Sequence, residues 1–244
     1  MKFTLLHLFP EAMSLYGEYA NLILLSRLLT CCGAEVETRA VGCDDAPDFT
    51  GADLIYMGAG TERTQKAMLQ KLLPCAEALR AAAEHSALVF FTGNAMETLG
   101  ASITDRDGKV YEGLRLADFA SVETAKRTPH DVIAQPILWA EPTVGFMNKC
   151  STTSGITAPL FSGLPLGFGN EEKGGAEGFQ EGNLLATHLT GPVLVKNPAF
   201  LRYVARRLYE LRGETMPEER REPWMDHAEK SYAVTYSELK GRIS

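Results

Sequence analysis

Over its first hundred residues the chain alternates short apolar runs with longer stretches whose apolar residues recur every three to four positions. Continuous apolar runs suit buried strands, and 3.6-residue spacing suits a helix packed on one face. Phe3 to Phe9, Asp53 to Met57 and Ala87 to Phe91 read as buried strands, and Glu35 to Val41 alternates as a half-buried one. Glu18 to Cys32 carries Leu22, Leu25, Leu28, Leu29 and Cys32 at helical spacing, with Gly33 as its stop. Glu62 to His85 is helical in pattern with a break at Pro74. This rhythm predicts an α/β fold, a mostly parallel central sheet flanked by helices on both faces. Ligands of such sheets bind beyond the carboxyl ends of the strands, where the loops Gly58–Gly60 and Gly93–Ala95 fall.

The rhythm changes after residue 100. Asp107-Gly108 signals a hairpin turn between Ile103 and Tyr111. Asp131 to Trp139, Thr143 to Met147 and Asn183 to Leu189 read as shorter strands, and Phe200 to Leu211 as a helix ended by Gly213. From Glu214 the chain is charged, holds Pro217 and Pro223, and has room for a surface helix from Trp224. The expected organisation is one domain over residues 1–213 and a charged, helical tail over 214–244.

Charge narrows the partners. The 244 residues carry 31 acidic and 24 basic side chains, a net charge of −7, and no block of Lys and Arg such as a nucleic-acid site leaves. Cys31, Cys32, Cys43, Cys75 and Cys150 are odd in number and form no C-x-x-C pair, which argues against a disulfide framework and a zinc site. No apolar run is long enough to span a bilayer, and Met1 to Pro10 is too short for a signal peptide. A cytoplasmic protein without a metal is expected.

Chemistry points to one turn. Phe90-Phe91-Thr92-Gly93-Asn94-Ala95-Met96-Glu97-Thr98-Leu99-Gly100 places a sharp glycine turn between a strand and a helix, the layout of a nucleophile elbow. Such a turn exposes one side chain and aims the following N–H groups at the same spot. The segment resembles the elbow of class I glutamine amidotransferases of the cobyric acid synthase-like branch, which reads C-G-G-Y-Q-x-L-G. Four more segments resemble that branch in the same order: Leu15-Tyr16-Gly17-Glu18-Tyr19-Ala20-Asn21, Met57 to Gln65, Gly145-Phe146-Met147-Asn148 followed by Lys149, and Ala186 to Pro198. Gly167-Phe168-Gly169-Asn170 matches a further G-x-G-N loop. Within the branch the likeness is to the amidotransferase subunits of lipid II isoglutaminyl synthases.

The resemblance implies a flavodoxin-like fold, no cofactor, and a Mur ligase-like, ATP-dependent synthetase as partner. It places the nucleophile position at Gly93 and the general-base position at Thr190. It places a pocket for a glutamine-like ligand at Gly58, Gly60, Asn94, Asn148, His188 and Arg127, the last at its mouth. The chemistry does not follow the fold. Hydrolysis of this type needs a thiolate and a titrating base, and neither Gly93 nor Thr190 supplies one. Thr92 lies one residue early on the strand and faces the other way. His188 is two residues before Thr190, an offset of roughly 6–7 Å along a strand, and reads as a packed or surface histidine. Glu97 reads either as a charge opposing a thiolate or as an exposed helix residue. Two functions follow: a subunit inactive as a glutaminase that binds its synthetase, or an active amidotransferase of cell-wall or cobyric acid-type metabolism with a relocated nucleophile, Cys150 being the candidate.

Overall fold

The computed structural model describes residues 1–243, and their centre is a six-stranded sheet. β1 (Lys2–Leu8) lies between β2 (Glu35–Val41) and β3 (Leu54–Met57), all parallel. β4 (Leu88–Thr92) pairs with β3 in parallel. The order 2-1-3-4 is that of flavodoxin-like sheets. Much later in the chain, β11 (Leu184–Thr187) adds in parallel beside β4, and β10 (Phe179–Glu181) closes that edge antiparallel. All of β3 and β4 is buried, which is why both read as unbroken apolar runs.

Alternate side chains of these strands feed two cores. Phe3, Leu5, Tyr56 and Phe90 face α1 (Ala20–Cys31) and α5 (Pro198–Leu211). Leu6, Leu8, Ile55, Met57, Val89 and Phe91 face α2 (Glu62–Leu72) and α3 (Ala76–His85), which are separated by a turn at Pro74. Helices therefore cover both faces. Cys31 and Cys32 are free and buried in the first core.

A second sheet departs from the sequence reading. β5 (Ser102–Thr104) and β6 (Val110–Glu112) form the expected hairpin around Asp107-Gly108. The strand expected over Asp131–Trp139 is instead β7, Ala120–Pro136, and the one expected over Thr143–Met147 is β8, Thr143–Ser154. Much of β7 between Glu123 and Asp131 is polar and solvated on both sides, so it lacks the alternation that marks a strand. β9 (Phe161–Leu166) pairs with β7, and neither it nor β10 was expected, because both lie among glycines and prolines. The single strand expected over Asn183–Leu189 is two. β11 stays in the first sheet, and β12 (Leu189–Thr190) pairs with β8 in the second. His188 is the residue at which the chain changes sheets.

α4 (Val193–Lys196) leads into α5, and α6 (Pro223–Lys240) follows the charged stretch. α6 starts at Pro223, where a missing N–H is harmless, and buries Met225 and Leu239. Its Tyr232 hydroxyl donates to the Pro142 carbonyl, which ties the tail to the second sheet. No described helix is long and apolar enough to cross a membrane.

Candidate functional site

The carboxyl ends of β3 and β4 carry the two loops that the motifs mark. Gly93 keeps the left-handed backbone, φ +62°, of an elbow tip. The residues after it form a tight 3-10 stretch, Gly93–Leu99, rather than the α-helix usual after an elbow. There is no room for a side chain at the tip. A Cβ on residue 93 would lie 2.5 Å from the Ala59 Cβ and 3.0 Å from the Thr190 Cγ2. Ala59 stands where the family motif has a glycine, so its methyl occupies what a nucleophile would need. Thr190 points its hydroxyl at the Phe146 carbonyl, 3.3 Å away.

Asn94 fixes the two loops together. Its amide accepts from the Gly60 N–H and donates to the Gly60 carbonyl, both at 3.0 Å. Gly58 lies behind this clamp, where a Cβ would meet the Met13 carbonyl at 2.7 Å and the Glu18 Cβ at 2.9 Å. Among the expected pocket residues it alone does not line the cavity, because close backbone packing places it against Met13 and Glu18. The cavity, about 160 Å³, is lined by Gly60, Asn94, Arg127, Asn148, His188, Thr190 and Cys150, joined by Tyr16, Glu62, Glu97, Lys149 and Ser151.

Thr92 faces away from this cavity, as its place on the strand requires. It is buried and donates to Glu18, which also accepts from the Gly191 N–H at 3.0 Å and the Tyr56 hydroxyl at 3.1 Å. Burial pushes the Glu18 carboxyl up, against these hydrogen bonds. The network holds the β12 turn against the elbow.

The buried charge sits one layer further along. Glu97 is not an exposed helix residue, because the 3-10 stretch turns it inward. Its carboxylate accepts from Gln65 at 2.8 Å and Ser151 at 2.5 Å, and lies 3.6 Å from the His188 Nε2. His188 is buried too, with Nδ1 3.1 Å from Glu177, which also accepts from the His188 N–H and the Thr187 hydroxyl. Burial pushes both carboxyls up, yet the His188 imidazole, together with Ser151 and Gln65 at Glu97 and with Thr187 and the His188 N–H at Glu177, outweighs it and holds both below the usual carboxylate range. Glu177 and Ser151 were invisible to the sequence reading. Glu177 lies in the glycine-rich run Gly174 to Gly178, where no periodicity marks it.

Lys149 takes the place of the family's histidine after G-F-x-N. Its ammonium donates to the carbonyls of Gly169 and Asn170 at 2.6 and 3.0 Å. Burial, opposed by Glu177 and Glu97, pushes it from 10.5 down to about 8. Between those values the unfolded chain binds more protons than the folded one, so this group makes stability rise with pH. Urea midpoints followed from about pH 7.5 to about pH 10 are expected to show that rise in the wild type and a flatter profile in Lys149→Met. Parallel profiles would place the ammonium in solvent.

The Cys150 thiol is buried and donates to Glu62 at 3.1 Å, with the Arg127 Nη2 3.6 Å away. Burial pushes it up, as does Glu62, while Arg106 and Arg127 oppose. A protonated thiol facing a carboxylate is no activated nucleophile. Arg127 is half-exposed at the mouth, but its guanidinium already holds the Glu62 carboxylate and the Asn148 carbonyl. No group of three His, Cys, Asp or Glu side chains placed to hold a metal occurs among the described residues.

This arrangement defines the class of protein. Residues 4–198 match the CobB/CobQ-like glutamine amidotransferase domain, and the chain belongs to that family. A crystal structure of a glutamine amidotransferase shares the fold, with a TM-score of 0.53 at 14% identity over 86% of this chain and 99% of the other. Among relatives, the chain is 25% identical over 210 residues to subunit GatD of the glutamine-hydrolyzing lipid II isoglutaminyl synthase of Staphylococcus aureus (strain N315), covering 86% of each. It is 25% identical over 194 residues to the GatD subunit of Streptococcus pneumoniae (strain ATCC BAA-255 / R6), covering 78% of this chain and 74% of the relative.

Proposed function

We propose that this chain is a GatD-like subunit that does not hydrolyse glutamine and serves as the binding and scaffolding partner of a Mur ligase-like, ATP-dependent synthetase in cytoplasmic lipid II amidation. Residues 1–213 carry the amidotransferase-like unit, and 214–244 form its tail. The observation that carries this reading is the filled elbow. Gly93 has no side chain, Ala59 and Thr190 occupy the space of one, and Thr190 cannot take a proton near neutral pH. The synthetase then uses free ammonia, and the remaining cavity holds a small glutamine-like ligand without turning it over.

Glutamate release from glutamine tests the reading, with the chain alone and co-expressed with the synthetase encoded in the same cell. Release at the buffer background in both cases, with the two chains co-purifying, is the expected result. Turnover that disappears in Cys150→Ala would instead establish a relocated nucleophile, and failure to co-purify would remove the scaffolding role.

A further inference from the structure

β7 and β8 form a regular antiparallel ladder except in one place. Pairing passes from Glu123 opposite Ser151 to Thr128 opposite Lys149. Four residues, Thr124 to Arg127, thus stand against the single residue Cys150. An ordinary bulge inserts one extra residue, and bulges cluster beside functional sites. Here three extra residues leave the ladder at the wall of the cavity.

The segment separates two spaces. Ala125 and Arg127 line an open basin of about 580 Å³, together with Arg106, Lys66, Glu62 and Glu123. Glu62, Glu123 and Arg127 line the inner cavity as well. Two ion pairs stand at this boundary. Lys66–Glu123 is nearly buried, with side chains 13% and 7% exposed, whereas Arg127–Glu62 is 38% and 29% exposed. Thr124 bonds only within the segment, to the Lys126 carbonyl. The side-chain hydrogen bonds that reach from the segment to the rest of the described chain all come from Arg127: to Glu62, to the Asn148 carbonyl and to the Cys150 sulfur.

We propose that Thr124–Arg127 is a flap between basin and cavity, latched shut by Arg127 on Glu62, and that its release opens the cavity and bares the Cys150 thiol. The physical ground is the weakness of the latch. A half-exposed ion pair is screened by solvent and contributes little, so a backbone segment without ladder partners, tied to the rest of the chain through the one half-exposed Arg127 side chain, opens often. The buried Lys66–Glu123 pair keeps the rest of the wall in place.

Alkylation of Cys150 by iodoacetamide, read by mass spectrometry on its own peptide, measures the opening in the full chain. Arg127→Ala is expected to speed the labelling about five- to tenfold. That variant removes a cation that favours the thiolate, so a chemical effect on the thiol would slow the reaction, and acceleration reports access. High salt is expected to speed the wild type and leave Arg127→Ala unchanged. Arg127→Lys, which keeps the charge without the planar fork, is expected to fall between them. Buried Cys32 in the same digest reports general loosening. A Cys150 rate unmoved by Arg127→Ala, or one that rises only in step with Cys32, would overturn the flap.

Discussion

Placing a cysteine at the elbow, Gly93→Cys, is expected to destabilise the fold by about 2–5 kcal/mol and to yield no glutamine hydrolysis. Two effects add. A side chain in the left-handed region costs roughly 1–2 kcal/mol, and the native φ of +62° leaves residue 93 no other choice. Overpacking adds about 1–3 kcal/mol, because the new Cβ would sit 2.5 Å from the Ala59 methyl. The second effect is removable. Ala59→Gly in the same chain is expected to restore about 1–2 kcal/mol, appearing as a coupling energy in a double-mutant cycle of urea unfolding. Hydrolysis stays absent even then, since Thr190 offers no base. A Gly93→Cys protein as stable as wild type, or a cycle with no coupling, would mean that the elbow has space and that Ala59 does not fill it.

That pair shows which parts of the site were legible in the chain. Gly93 and Thr190 stand out because each falls in a motif with neighbours on both sides. Ala59 lies in a motif as well, but its meaning is spatial: its methyl matters only because β3 and β4 run parallel and deliver both loops to one end of the sheet. The first sheet was readable for a related reason. Its inner strands β3 and β4 are buried on both faces, so nearly every position is apolar and the runs announce themselves, while the edge strand β2 shows the alternation of a half-buried one. β7 carries Lys126-Arg127-Thr128-Pro129 through its middle, and its pairing with β8 breaks there, so local pattern could not reveal a strand. The charged layer was hidden for a third reason. A carboxylate such as Glu97 is buried only when a partner compensates it, and its partner His188 comes from a distant strand junction. His188 in turn could be assigned a packed role, but not a carboxylate on each side of its ring.

The strongest test of that layer is His188→Ala, expected to cost about 3–5 kcal/mol by leaving Glu97 and Glu177 buried without their shared partner. The pH dependence identifies the cause. In the wild type both carboxyls are held below their ordinary value of 4.5, so their contribution is fully present above that value and is lost as pH falls through the folded values. Removing the imidazole leaves burial dominant and reverses the sign. The folded carboxyls then bind protons more readily than the unfolded ones, and the variant gains stability relative to wild type as pH falls from neutral toward about 4. The gap between the two proteins should therefore be widest near neutral pH and narrow on acidification. Simple loss of packing would leave a gap that does not change with pH. His188→Gln, which retains one N–H donor for a carboxylate, is expected to lie between wild type and His188→Ala. A loss under about 1 kcal/mol at neutral pH would show that neither carboxylate depends on the ring and that both are satisfied by Gln65, Ser151 and Thr187 alone.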